Sequence, residues 1–262
     1  MKSLVFFAAL LTALPSFAQT IDLKFEKTVK KEGTQAGNFY TAQIKLSKES
    51  DKEVRVDYET QDGQATAGAD YEARTGTVVF APGETMKLVQ IFTVADKKSE
   101  KPLEQFDFVL KNPVNAKFGN PYAVLTIKDD DVEVKIGRGQ EVVEGNKGET
   151  SFISFPVTLK HESLETVAIG YETLSEKGSA TAGTDYVTDY STIAFQAGET
   201  EKSIEIAVKG DGEIEPNENF FVEIWSNNEN VTIQKNQSEG YIVDDDGNLY
   251  FTYKFDVKEF FE

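Results

Sequence analysis

Three consecutive aspartates, Asp129-Asp130-Asp131, recur 115 residues later as Asp244-Asp245-Asp246. Carboxylates this close repel one another unless water or a cation neutralises them. Side chains alternate across a strand, so such a triplet fits best where a strand ends. A hard cation such as calcium takes roughly six to eight oxygens, from carboxylates, carbonyls and water. One triplet cannot supply that set, so other loops at the same end must contribute. A helix–loop–helix calcium loop does not fit. It needs acids at its first, third and fifth positions and glycine at its sixth. Counting from Asp244 the sixth residue is Leu249, and counting from Asp211 it is Pro216.

Other chemistries are poorly supplied. The chain has no cysteine and one histidine, which excludes disulfides, thiolate sites and multi-histidine metal centres. His161 aligns with Lys48 in an expected hairpin turn, a surface position rather than that of a catalytic base. Two carboxylates about 5–9 Å apart can hydrolyse glycosides if one sits against an apolar wall. Here the acids cluster without aromatic residues between them, so a glycoside hydrolase is the remote alternative. Acidic residues outnumber basic ones 45 to 27, giving a net charge of −18, which rules out wrapping a nucleic acid. The single tryptophan, Trp225, falls at a strand end, where packing is a commoner role than stacking on a sugar or a partner.

The elements that must position the acids repeat along the chain. Val56-Asp57-Tyr58-Glu59-Thr60 returns as Ile169-Gly170-Tyr171-Glu172-Thr173. Ala65-Thr66-Ala67-Gly68-Ala69-Asp70-Tyr71 returns as Ala180-Thr181-Ala182-Gly183-Thr184-Asp185-Tyr186. Phe80-Ala81-Pro82-Gly83-Glu84-Thr85 returns as Phe195-Gln196-Ala197-Gly198-Glu199-Thr200. A period of 115 residues is a whole domain, not a solenoid unit. Val89, Ile91 and Thr93 form a period-two face matched by Ile204, Ile206 and Val208. Phe106, Phe108 and Leu110 form another, matched by Phe220, Val222 and Ile224. Period-two faces broken by glycine-rich turns predict half-buried strands and an all-β sandwich in each repeat. The domains are expected at 19–131 and 132–247, with almost no linker.

The ordered run Thr-Ala-Gly-x-Asp-Tyr, Phe-x-x-Gly-Glu-Thr, Glu-x-Phe and Asp-Asp-Asp, present twice, resembles the Calx-beta module. That module is known from the regulatory loop of sodium–calcium exchangers and from extracellular adhesion proteins. The resemblance implies two tandem immunoglobulin-like β-sandwiches of about seven strands, end to end, with calcium held by acidic loops at one end of each. It places the metal ligands of the second repeat at Glu144, Asp185, Asp211, Glu215, Glu218, Asp244, Asp245 and Asp246. In the first repeat it places them at Glu32, Asp70, Asp96, Glu104, Asp129, Asp130 and Asp131. The first repeat departs from the pattern, because Lys97 and Lys101 stand where the family carries acids. Its binding is expected to be weaker or its ions fewer.

Two segments lie outside the repeats. Lys2, the apolar run Leu4 to Leu14, and Ser16-Phe17-Ala18 have the layout of a cleavable signal peptide ending at Ala18. The apolar run has 11 residues, too few for the ~20 of a spanning helix. A secreted, periplasmic or cell-surface protein follows, with no transmembrane segment. Residues 248–262 alternate like a strand, which predicts a tail docked on the second domain or paired with a partner. The functional expectation is an extracytoplasmic calcium-binding module pair. Calcium would rigidify the loops and the domain junction for cell adhesion, or for recognition of a protein or glycan. The alternative is a calcium-independent spacer or interaction protein. No enzyme is expected.

Overall fold

The computed structural model describes residues 19–247. The expected signal peptide, 1–18, and the tail, 248–262, lie outside the described residues. Two compact units account for the fold: among the described residues the first takes those up to Asp96 and Leu103–Asp129, and the second takes Lys97–Pro102 and those from Asp130 onward.

The first unit holds nine strands: β1 (Thr20–Phe25), β2 (Val29–Lys31), β3 (Phe39–Leu46), β4 (Val54–Gln61), β5 (Thr75–Phe80), β6 (Met86–Phe92), β7 (Leu103–Val114), β8 (Lys117–Asn120) and β9 (Tyr122–Lys128). They form two sheets, ordered β6-β3-β1-β8 and β2-β9-β7-β4-β5. The second unit repeats the scheme with β10 (Val132–Ile136), β11 (Glu141–Val143), β12 (Thr150–Leu159), β13 (Val167–Gly178), β14 (Tyr190–Phe195), β15 (Glu201–Lys209), β16 (Glu218–Trp225), β17 (Val231–Lys235) and β18 (Gln237–Val243). Its sheets run β15-β12-β10-β17 and β11-β18-β16-β13-β14.

The described chain is all-β, as the period-two faces require. Each unit has nine strands where about seven were expected. The first strand of each repeat breaks in two, and its halves serve opposite sheets: β1 pairs with β3, whereas β2 pairs parallel with β9. A short extra strand, β8 or β17, adds a second parallel pairing at a sheet edge.

The alternating faces meet in one apolar core per unit. Phe106 and Phe108 are fully buried in the first core, as are Phe220 and Val222 in the second. The tyrosine of each Asp-Tyr pair stacks on the first phenylalanine of this face. Tyr71 and Phe106 have centroids 3.9 Å apart, and Tyr186 and Phe220 are 4.4 Å apart. Aromatic stacking adds about 0.5–1.5 kcal/mol to the area buried. The aspartate before each tyrosine is thereby fixed to a rigid wall.

Candidate metal centre

Each Thr-Ala-Gly-x-Asp-Tyr motif is a tight turn that aims one carboxylate. Gly183 has φ 88°, and Gly68 has φ 90°, conformations that a side chain resists. The turn lets the Thr181 N–H donate to Asp185 Oδ2, and the Thr66 N–H donate to Asp70 Oδ2. The backbone holds the aspartate from the other side, since the Lys209 N–H donates to the Asp185 carbonyl at 2.8 Å. Asp185 is 5% exposed and Asp70 7%.

In the second unit, parallel pairing assembles the rest. Val143 sits opposite Val243 at the ends of β11 and β18. The next residues, Glu144 and Asp244, therefore leave the sheet side by side although 100 positions separate them. Asp211 follows β15, bridged to Asn146 beside Glu144. Glu215 precedes β16, and Glu218 is its first residue.

Two groups of three carboxylates result. Glu144, Asp244 and Asp246 each bring one oxygen within 4.8 Å of the others, and Asp185, Glu215 and Glu218 do the same. The groups influence one another. Glu144 is pushed up to about 7 by burial first, then by the charges of Asp211, Asp244, Asp246 and Glu215. Glu218 is also pushed up to about 7, by burial, by its hydrogen bond to Asp185, and by the charges of Asp185, Glu215 and Glu144. Burial and neighbouring acids raise Glu215 and Asp246 as well. Glu144 is only 3% exposed, and its Oε1 accepts no hydrogen bond; Asp246 Oδ2 is likewise buried without a partner. Buried carboxylate oxygens left without a donor are expensive. Oxygen-only donors crowded in this way suit a hard cation such as calcium.

Two expected ligands of the second repeat fall outside these groups. Asp245 is exposed and accepts from the Gly145 N–H at 3.2 Å. The triplet follows the end of β18, where the Asp246 N–H donates to Asp244 Oδ1 at 3.3 Å; this turn groups Asp244 and Asp246 with Glu144 and leaves Asp245 on the Gly145 N–H. Asp211 Oδ1 accepts from the backbone N–H groups of Gly212 and Glu213, at 2.6 and 2.7 Å. It shapes its own loop and contributes its charge to Glu144 and Glu215.

The first repeat is sparser. Asp70 and Glu104 bring carboxylate oxygens within 4.8 Å of each other. Glu100 lies on the loop leading to Glu104 and is not one of the expected ligands. It pairs with Lys98 on the same loop. Glu32 and Asp131 are buried, and Asp96, Asp129 and Asp130 are half-buried. Among the described residues these five join no group of three acids of the kind seen in the second unit.

The family model of the Calx-beta domain matches the chain twice, at residues 18–131 and 128–246. Sodium/calcium exchanger 1 of Canis lupus familiaris is 30% identical over 221 residues, covering 77% of this chain and 22% of the exchanger. The same exchanger of Rattus norvegicus is 32% identical over 190 residues, covering 65% of this chain and 19% of its own length. The chain thus spans about a fifth of these relatives. Among solved structures, CBD12 from CALX1.2 aligns over 84% of this chain and 99% of its own, at 21% identity and a TM-score of 0.40.

Proposed function

The chain belongs to the Calx-beta domain family, and from that premise we propose that it is a calcium-binding module pair whose second repeat holds the stronger site. The observation that carries this reading is the buried Glu144 Oε1 and Asp246 Oδ2, both without a hydrogen-bond donor, inside a cluster of acids. Glu144, Asp244 and Asp246 would hold one ion, and Asp185, Glu215 and Glu218 a neighbouring one. Calcium would supply the positive charge that these groups lack. The chain's own residues would position the oxygens: the Asp-Tyr turn through its core tyrosine, and Glu144 through the β11–β18 pairing. Neutralising the acids would stiffen the loops that carry them, which suits a module for adhesion or recognition rather than catalysis.

No helix of the described residues is long and apolar enough to cross a membrane. The signal-peptide layout at 1–18 supports work outside the cytoplasm, as a secreted, periplasmic or surface protein. Protein from the native host should then begin at or near Gln19 by mass spectrometry, and an intact Met1 in most molecules would overturn this part. The calcium reading is tested by titrating the full chain with calcium in a calorimeter, alongside a Glu144→Gln/Glu218→Gln double variant. Saturable heat that the double variant largely loses is expected. No heat at millimolar calcium would leave a calcium-independent spacer as the better reading.

A further inference from the structure

The outer faces of the two five-stranded sheets carry matched positions with opposite chemistry. In the first unit Asp57 lies between Thr77 of β5 and Lys111 of β7, and Glu59 between Thr75 and Val109. These groups satisfy one another. Lys111 pairs with Glu59, while Thr77 Oγ1 and Asn112 Nδ2 donate to Asp57 at 2.6 and 3.0 Å.

In the second unit Gly170 takes the place of Asp57, between Thr192 of β14 and Trp225 of β16. Glu172 takes the place of Glu59, between Tyr190 and Glu223. Trp225 thus stands where the first unit has its lysine. The missing side chain at Gly170 lets the indole lie on the strand: a Cβ there would come within 2.5 Å of the ring. Tyr190 flanks Trp225, with centroids 5.1 Å apart and planes tilted by 35°, and is 74% exposed. One carboxylate of the first unit is retained, but the cation that served it is gone. Glu223 adds a second, its Oε1 accepting from Asn236 at 2.7 Å.

We propose that this face of the second unit binds an arginine- or lysine-bearing segment of a partner protein, with the cation over Trp225 and Tyr190 and against Glu172. Charge complementarity selects this occupant: an aromatic face and two carboxylates attract a cation, and the matched cell of the first unit already contains one. A cation within about 6 Å of an aromatic ring gains about 0.5–2 kcal/mol, most with tryptophan and when water is excluded. The site goes beyond the calcium reading and shares no residue with the acidic groups.

Trp225 is the chain's single tryptophan, so its fluorescence reports this face directly. The full chain would be titrated, in chelator, with a short peptide containing two arginines, with the same peptide carrying citrulline, and with cellohexaose. Saturable quenching by the arginine peptide alone is expected, weakened severalfold by Glu172→Gln. A Gly170→Asp/Trp225→Lys double variant rebuilds the cell of the first unit. It should keep its melting temperature and lose the peptide's binding heat in calorimetry. Equal binding of the citrulline peptide, or no effect of Glu172→Gln, overturns the proposal. So does binding of cellohexaose in place of the peptide, which makes the face a glycan platform, and so does an absence of any binding.

Discussion

The two repeats share a topology strand for strand, yet they treat buried polar groups differently. Tyr71 of the first repeat donates its hydroxyl to Asp62, whereas the matching hydroxyl of Tyr186 is buried without a partner. Glu100 has Lys98 beside it, while Glu144 and Glu218 face other acids. The first repeat closes more of its polar interactions internally. The second leaves oxygens crowded and unsatisfied, which costs stability until something external neutralises them. One fold thus carries polar groups closed on one another in one copy and crowded carboxylates in the other, and loop residues decide which.

The largest expected effect is that of calcium on the second repeat. A ligand that binds only the folded state at 100 times its dissociation constant stabilises it by about 2.7 kcal/mol. Calorimetric melting of the full chain should show one transition rising strongly with calcium and one rising little. Equal shifts of both would break the comparison between repeats.

Single ligands sharpen it. Asp185→Asn should weaken calcium binding by about tenfold or more, and Asp70→Asn should change the total heat less. Within the triplet, Asp246→Asn should weaken binding more than Asp245→Asn, because Asp245 faces the Gly145 N–H. A larger effect at Asp245 would mean that the loop after β18 turns over when the ion enters.

The pH dependence follows from the raised carboxyls. Glu144 and Glu218 lie near 7 in the folded protein against an ordinary 4.5. A raised carboxyl pKa means that the folded state holds its protons more tightly than the unfolded state. Its contribution to stability is present below about pH 4.5 and is lost as pH rises to about 7. Calcium-free protein should therefore melt lower at pH 8 than at pH 5, and the gain from calcium should be larger at pH 8. Glu144→Gln should raise the melting temperature in chelator at pH 8 and lower it in calcium. Identical melting of parent and variant in chelator would remove repulsion as the cause.

The smallest contrast concerns the two tyrosines. Tyr71→Phe should cost about 1 kcal/mol in chemical denaturation, the net value of one hydrogen bond. Tyr186→Phe should be neutral or slightly stabilising, because it deletes a buried hydroxyl with no partner. Equal costs would show that Tyr186 finds a partner in solution.

Much of the fold was legible in the sequence because its signals are local. Phe106-x-Phe108-x-Leu110 alternates within one strand, so the period alone assigned its face to the core. The Asp-Tyr turns were legible for the same reason, since glycine, aspartate and tyrosine act within seven residues of chain. The extra strands were not, because β8 and the broken first strand depend on parallel pairing with distant partners. Lys98 could be seen near the acids, but its pairing with Glu100 could not.

The sequence by itself determined that there are two copies of one sandwich, that acids gather at strand ends, and that the second copy keeps more of them. Only the tertiary structure decided which acids meet. Glu144 and Asp244 are neighbours because β11 and β18 pair in one register, and a shift of one residue would set Asp245 beside Glu144 instead. It also decided that the Trp225 ring packs against Gly170. Spacing along a chain fixes which side of its own strand a residue faces, whereas contact between strands depends on pairing energies summed over the whole sheet.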